Sequence, residues 1–229
     1  MNHTQFLRTF ATAGVALVAV SACTPKAGMN GLTDMQTVSL DSFVALAVAA
    51  KTEFQDNIAE STVALPTTGT GTFQGFGRVD ISDTPADTTG TQLFGAAELT
   101  AAFSPTGANI AGTVDNFYSA DAILFTDLQL ALESGNPDQV KALIEVSEPA
   151  LSGSLDVSAP NATGPLFTAD ISGEVDTGTT AFDFSGTANG EFYGNPATVI
   201  RVTGDSSGGL FVNEGPGTRN ATLVIIGSQ

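Results

Sequence analysis

Thr70-Gly-Thr-Phe-Gln-Gly-Phe-Gly-Arg-Val-Asp-Ile81 decides the fold class. Read with a period of two, it puts Phe73, Gly75, Gly77, Val79 and Ile81 on one face and Thr72, Gln74, Phe76, Arg78 and Asp80 on the other. Successive strand side chains point to opposite sides of a sheet, so this is a strand with one buried and one wetter face. Leu93–Phe103 repeats the pattern, with Leu93, Gly95, Ala97, Leu99, Ala101 and Phe103 set against Ala96, Glu98, Thr100 and Ala102. Asn109–Tyr118, Leu151–Ser158, Leu166–Asp176, Ala181–Tyr193, Ala197–Asp205 and Leu223–Ile226 continue the series. Turn residues separate these runs at intervals of roughly ten to fifteen, as in an antiparallel meander.

Glycine recurs inside the runs, at Gly75, Gly77, Gly112, Gly153, Gly173, Gly186 and Gly190. Interior glycine weakens a flat sheet but suits one that must coil and close, so the expected fold is all-β, an antiparallel barrel over residues 65–229. None of these glycines forms a phosphate-binding loop: Gly69-Thr-Gly-Thr-Phe-Gln-Gly75 lacks the Lys-Ser/Thr that such a loop needs and does not sit at a strand-to-helix turn. Phe73, Phe94, Phe103, Phe117, Phe167, Phe182, Phe184, Phe192 and Phe211 fall at strand positions and are read as core.

Two segments break the alternation. In residues 38–64, Phe43, Leu46, Ala47, Ala50 and Phe54 are spaced for a short helix with Ser39 or Asp41 as its N-cap, packed on the barrel or plugging one end. Asn136-Pro137 reads as an N-cap followed by proline at the first helical position, predicting a helix at about Pro137–Val146 after a strand at about Ala122–Leu132.

The N-terminus is read as an export signal over residues 1–22. Arg8 precedes the apolar run Ala11–Val20, and Ser21-Ala22-Cys23 closes it with small residues before the cysteine. Val20-Ser21-Ala22-Cys23 resembles a bacterial lipobox, which makes Cys23 the expected lipidation site and the membrane a partner through acyl chains. Two or three chains make a stable anchor where one does not. An ordinary secretory signal is the alternative. Residues 23–37 are read as a tether, and Thr24 after the cysteine agrees with outer-membrane sorting.

His3 is the only histidine and Cys23 the only cysteine. With the signal removed no imidazole remains, which excludes Ser/His/Asp and Cys/His nucleophilic chemistry, histidine-ligated zinc and disulfides. No cofactor or metal is expected. Asp83, Asp87, Asp115 and Asp121 near predicted turns could meet calcium but lie in no EF-hand register. Tyr118 and Tyr193, the only phenols, could ligate ferric haem, with packing as the alternative. The formal charge of -17 argues against nucleic acid as a partner, and it also fits solvation in a salty habitat.

Four stretches together resemble the barrel domain of transferrin-binding protein B-like lipoproteins: Leu65–Gly77, Gly95–Ser104, Ile110–Phe117 and Phe184–Gly194. The last carries the Gly-x-Phe-Tyr-Gly turn that leads into Pro196-Ala197. The resemblance covers roughly residues 65–212. It implies an eight-stranded antiparallel barrel with an appended handle-like or helical N-terminal part, in an outer-membrane lipoprotein of a Gram-negative bacterium whose family captures host iron-carrying proteins, haem or other surface ligands. With the helix signals of the sequence itself, the expected fold is an eight-stranded up-and-down barrel with a short N-terminal helix and one helical loop insertion. The chain shows one barrel and no second lobe, unlike the large transferrin receptors. The leading expectation is a lipid-anchored binding module without catalysis that engages a host protein or small solute, and the alternative is a structural envelope lipoprotein with a filled barrel. An enzyme would need two close carboxylates in a cleft with a shifted pKa.

Overall fold

The structure, a computed structural model, describes residues 39–60, 64–144 and 151–229, the side chains of residues 120–123 excepted. The expected signal, Cys23 and the tether lie outside the described residues. Nine strand segments follow in chain order: β1 Gly69–Ser82, β2 Thr89–Ser104, β3 Gly107–Leu124, β4 Ser152–Ala162, β5 Leu166–Asp176, β6 Ala181–Tyr193, β7 Val199–Asp205, β8 Leu210–Glu214 and β9 Gly217–Ser228. Every pairing is antiparallel, and β1 closes on β9 from Gln74↔Ser228 to Ser82↔Asn220.

The nine segments make eight staves. β7 pairs with β6 from Tyr193↔Val199 to Asn189↔Thr203, and β8 takes over on the same strand from Gly186↔Leu210 to Phe182↔Glu214. Both also pair with β9, so β7 and β8 are one stave interrupted between Asp205 and Leu210. Gly186 accommodates the interruption: its φ is +126°, and a Cβ there would fall 2.0 Å from the Gly209 carbonyl oxygen. The expected eight-stranded antiparallel barrel is therefore the fold. β8 itself escaped the sequence reading, and Phe211 is corrected with it. Leu210 and Val212 point inward while Phe211 is 51% exposed, because alternation turns it to solvent.

The inward faces fill the barrel. Phe73, Val79, Leu93, Leu99, Ile110, Leu155, Ile200 and Ile225 are buried in one continuous cluster. At its heart the Phe192 ring lies 5.4 Å from Phe167, 5.7 Å from Phe73 and 5.8 Å from Phe103, centroid to centroid. Eight strands enclose an interior just wide enough for side chains or one small ligand, and here side chains occupy it. On β4, β5 and β6 the outward positions are polar and exposed, among them Asp156, Ser158, Asp170, Ser172, Glu174, Asp183 and Ser185. This polar-out, apolar-in alternation is the reverse of a barrel wall that faces hydrocarbon.

Elsewhere the outer wall is covered. α1, Leu40–Asn57, starts at Ser39, whose extended backbone and side chain cap the Ser42 amide, and Asp41 sits in its first turn. Phe43, Ala47, Ala50 and Phe54 form one stripe buried against the outward residues Phe76, Phe94, Ala96, Tyr118, Tyr193, Val199 and Ile226. The helix thus packs on the outside of the barrel and does not plug it. Phe43 is wedged between Phe94, 4.6 Å away, and Tyr118, stacked at 5.4 Å and 10°. Gly75 permits the close approach, since a Cβ there would sit 2.0 Å from the Ile226 carbonyl oxygen and 3.0 Å from the Ala50 Cβ.

The insertion after β3 differs from expectation. The strand expected at about Ala122–Leu132 ends at Leu124, and Phe125–Glu133 forms helix α2. Leu128, Ala131 and Leu132 are its buried residues, a spacing of three to four that only a helix can turn to one side. α3 spans Pro137–Ala142, with the Asn136 side chain accepting from the Asp138 amide at 3.0 Å as the Asn-Pro signal implied. Val146, the far end of the expected helix, lies outside the described residues. Among those residues no helix is long and apolar enough to cross a membrane.

Candidate functional site

Five basic side chains occur among the described residues: Lys51, Arg78, Lys141, Arg201 and Arg219. Three of them, Lys51, Arg78 and Arg201, line one pocket of about 230 Å³ between α1, α2 and the outer wall of β1, β7 and β9. In a chain of formal charge -17 this convergence is the strongest chemical feature of the described surface.

Each element contributes for a local reason. Lys51 and Phe54 are one turn apart on α1. Arg78 follows Phe76 on the outward face of β1, and Arg201 is outward on β7 opposite Glu191 and Ile226. Phe54, Phe76, Leu132, Val224 and Ile226 supply apolar walls, and Ile58 stands half-exposed at the rim. The Lys51 ammonium and the Arg201 guanidinium sit 5.4 and 5.5 Å from the Phe54 ring centroid, within cation–π range.

The cations are not equally occupied. Lys51 lies 3.5 Å from the Glu133 carboxylate, which a hydrogen bond from Gln129 and the Lys51 charge hold below the usual carboxylate range. Arg78 pairs with Asp80 at 3.1 Å, yet its Nε is buried with no hydrogen-bond partner. Arg201 takes part in none of the ion pairs among the described residues. Its polar neighbour is the Tyr193 phenol, which donates to Glu191 at 2.7 Å and whose pKa is raised by burial and by that bond. Arg201 also borders a second depression of about 230 Å³ along β6 and β9 and a smaller one of about 80 Å³.

Comparison with protein-family models, with curated proteins and with solved structures gave no match. The chemistry of the pocket must therefore be read from its own side chains.

A second cleft, of about 270 Å³, is lined by Asp80, Asp87 and Asp205 beside Ser82, Ser207 and Asn220. Its carboxylates are bound to their own segments. Asp87 accepts from the Thr84 amide at 2.7 Å, and one oxygen of Asp205 accepts from the Ser207 hydroxyl and the Gly208 amide, which lowers its pKa. Both oxygens of Asp80 are engaged, one by Arg78 and one by the Gln92 amide at 2.7 Å. Of the aspartates singled out in the sequence, Asp83, Asp87 and Asp115 do not assemble into a metal-binding group, and the side chain of Asp121 lies outside those described. Asp83 pairs with Arg219, Asp115 accepts from Asn116, and the described residues hold no group of acids, cysteines or histidines able to bind a metal ion. Tyr118 stacks on Phe43 and Tyr193 packs edge-on against Phe54, so both phenols serve the α1 interface.

Asp80 makes the stability pH-dependent in a direction opposite to an ordinary salt bridge. Burial raises its pKa, and Arg78 and Gln92 only partly offset this. A carboxyl that binds its proton more readily folded than unfolded gains stability as pH falls through the folded pKa toward the unfolded one, and loses it again as pH rises. The stability of the wild type relative to Asp80→Asn is therefore expected to grow on acidification from neutral pH, measured by urea unfolding at several pH values. A relative stability that falls on acidification would contradict this assignment.

Proposed function

We propose that this chain is a lipid-anchored, non-catalytic binding module of a bacterial outer membrane, similar in type to the transferrin-binding protein B-like barrels, and that its ligand is a small solute held on the outer wall beneath α1. One observation carries the reading: three of the five basic side chains among the described residues gather around a single aromatic pocket on an otherwise acidic protein. Half-buried cations beside aromatic rings are costly to assemble by chance, and sites of this kind combine an apolar lining with a few convergent polar groups. The lack of histidine beyond His3 and of cysteine beyond Cys23 supports a role in binding. The lipobox-like Val20–Cys23 and the order of the four glycine-punctuated stretches support the anchoring and the family likeness.

The filled interior favours one other reading, a structural envelope lipoprotein whose barrel carries nothing. Melting temperature separates the two. A ligand that binds only the folded state stabilises by RT ln(1 + [L]/Kd), so the small-molecule filtrate of the producing cells is expected to raise the melting temperature of the dialysed protein. An unchanged melting temperature across concentrated filtrates would favour the structural reading.

A further inference from the structure

Resting on that binding-module reading, we infer that the pocket takes a small organic monoanion: one carboxylate on a compact apolar body. Arg201 is the anchor. Lys51 and Arg78 are each held by a carboxylate, Glu133 and Asp80, whereas Arg201 stands opposite Glu191 on β6 without an ion pair, so the three cations and three carboxylates balance. Arg201 is the cation of the three without an ion pair, and it lines the pocket. A guanidinium offers a planar fork of N–H donors that matches a carboxylate. A phosphate dianion would bring twice the negative charge of a carboxylate to a balanced cluster inside a protein whose overall field already repels anions.

The lining sets the body. Phe54, Phe76, Leu132 and Ile226 offer apolar surface beside the cations, and Phe54 already has cationic groups near its ring. A polar or sugar-like body would leave hydroxyls unpaired against these walls. The volume of about 230 Å³ is below the roughly 300–1,000 Å³ of drug-sized sites, which restricts the ligand to a compact molecule such as a short-chain or aromatic acid.

The test is calorimetric titration of the full mature chain with sodium benzoate, benzamide and inorganic phosphate at one ionic strength. Saturable benzoate binding is expected, with benzamide and phosphate weaker by about tenfold or more. Arg201→Gln should weaken benzoate by a similar factor, and Arg201→Lys, which keeps the charge but loses the fork, should fall between. Phosphate or benzamide binding as tightly as benzoate would overturn the inference, as would Arg201→Gln and Arg201→Lys both binding like the wild type. If no probe binds while the cell filtrate still raises the melting temperature, the ligand class is wrong and the binding-module reading stands. If neither produces an effect, both fall.

Discussion

Phe43→Ala is expected to free α1 from the barrel while leaving the barrel closed. Phe43 is fully buried between Phe94 and Tyr118 at the centre of the outer cluster, and truncating a buried phenylalanine costs about 3–5 kcal/mol. That loss falls on an interface held mainly by one helical stripe, so it appears as local release, not as global unfolding. The protein contains its own reporter. It has no tryptophan, and both of its tyrosines lie in the α1 interface, Tyr118 against Phe43 and Tyr193 against Phe54. The variant should lose most of its near-ultraviolet tyrosine circular dichroism and keep its far-ultraviolet β-signal. Because Lys51 and Phe54 leave with the helix, it should also lose the pocket. An unaltered near-ultraviolet spectrum would show that α1 does not depend on this wedge.

Phe192→Ala should act on the other side of the wall. Its ring meets Phe73, Phe103 and Phe167 inside the barrel, tying β6 to β1, β2 and β5. The same truncation range of about 3–5 kcal/mol here removes the centre of the main core, and single domains have only about 5–15 kcal/mol in total. The variant is expected to unfold at markedly lower urea, with far- and near-ultraviolet signals lost together. Loss of the tyrosine signal ahead of the β-signal would mean that the interior and the outer cluster are less separate than their packing indicates.

The barrel was legible because period-two alternation and recurring turns are local signals. Phe73, Val79 and Ile81 declare the inner face of β1 within a dozen residues, and Ser39 and Asn136 declare helix starts within four. Two local misreadings share a cause. Phe125–Leu132 is apolar enough to pass for a strand until Leu128, Ala131 and Leu132 are seen to share one side, and Leu210–Glu214 is too short for its alternation to stand out. The pocket was not legible, since Lys51, Arg78 and Arg201 meet only after the barrel closes β1 on β9 and α1 crosses the join. A signal for the helix site was nevertheless present. Phe76 and Phe94 occupy positions that alternation assigns to the wet face, and apolar residues there mark a wall that something covers.

The proposed binding role requires a solute at the Arg201 pocket on the outer wall. Native mass spectrometry of the wild type and of Arg201→Gln, each released from the membranes of the cells that produce it, tests this most directly. The wild type is expected to carry a small adduct of defined mass, and a folded Arg201→Gln variant to lack it. The same adduct on both proteins, or none on either, would contradict it.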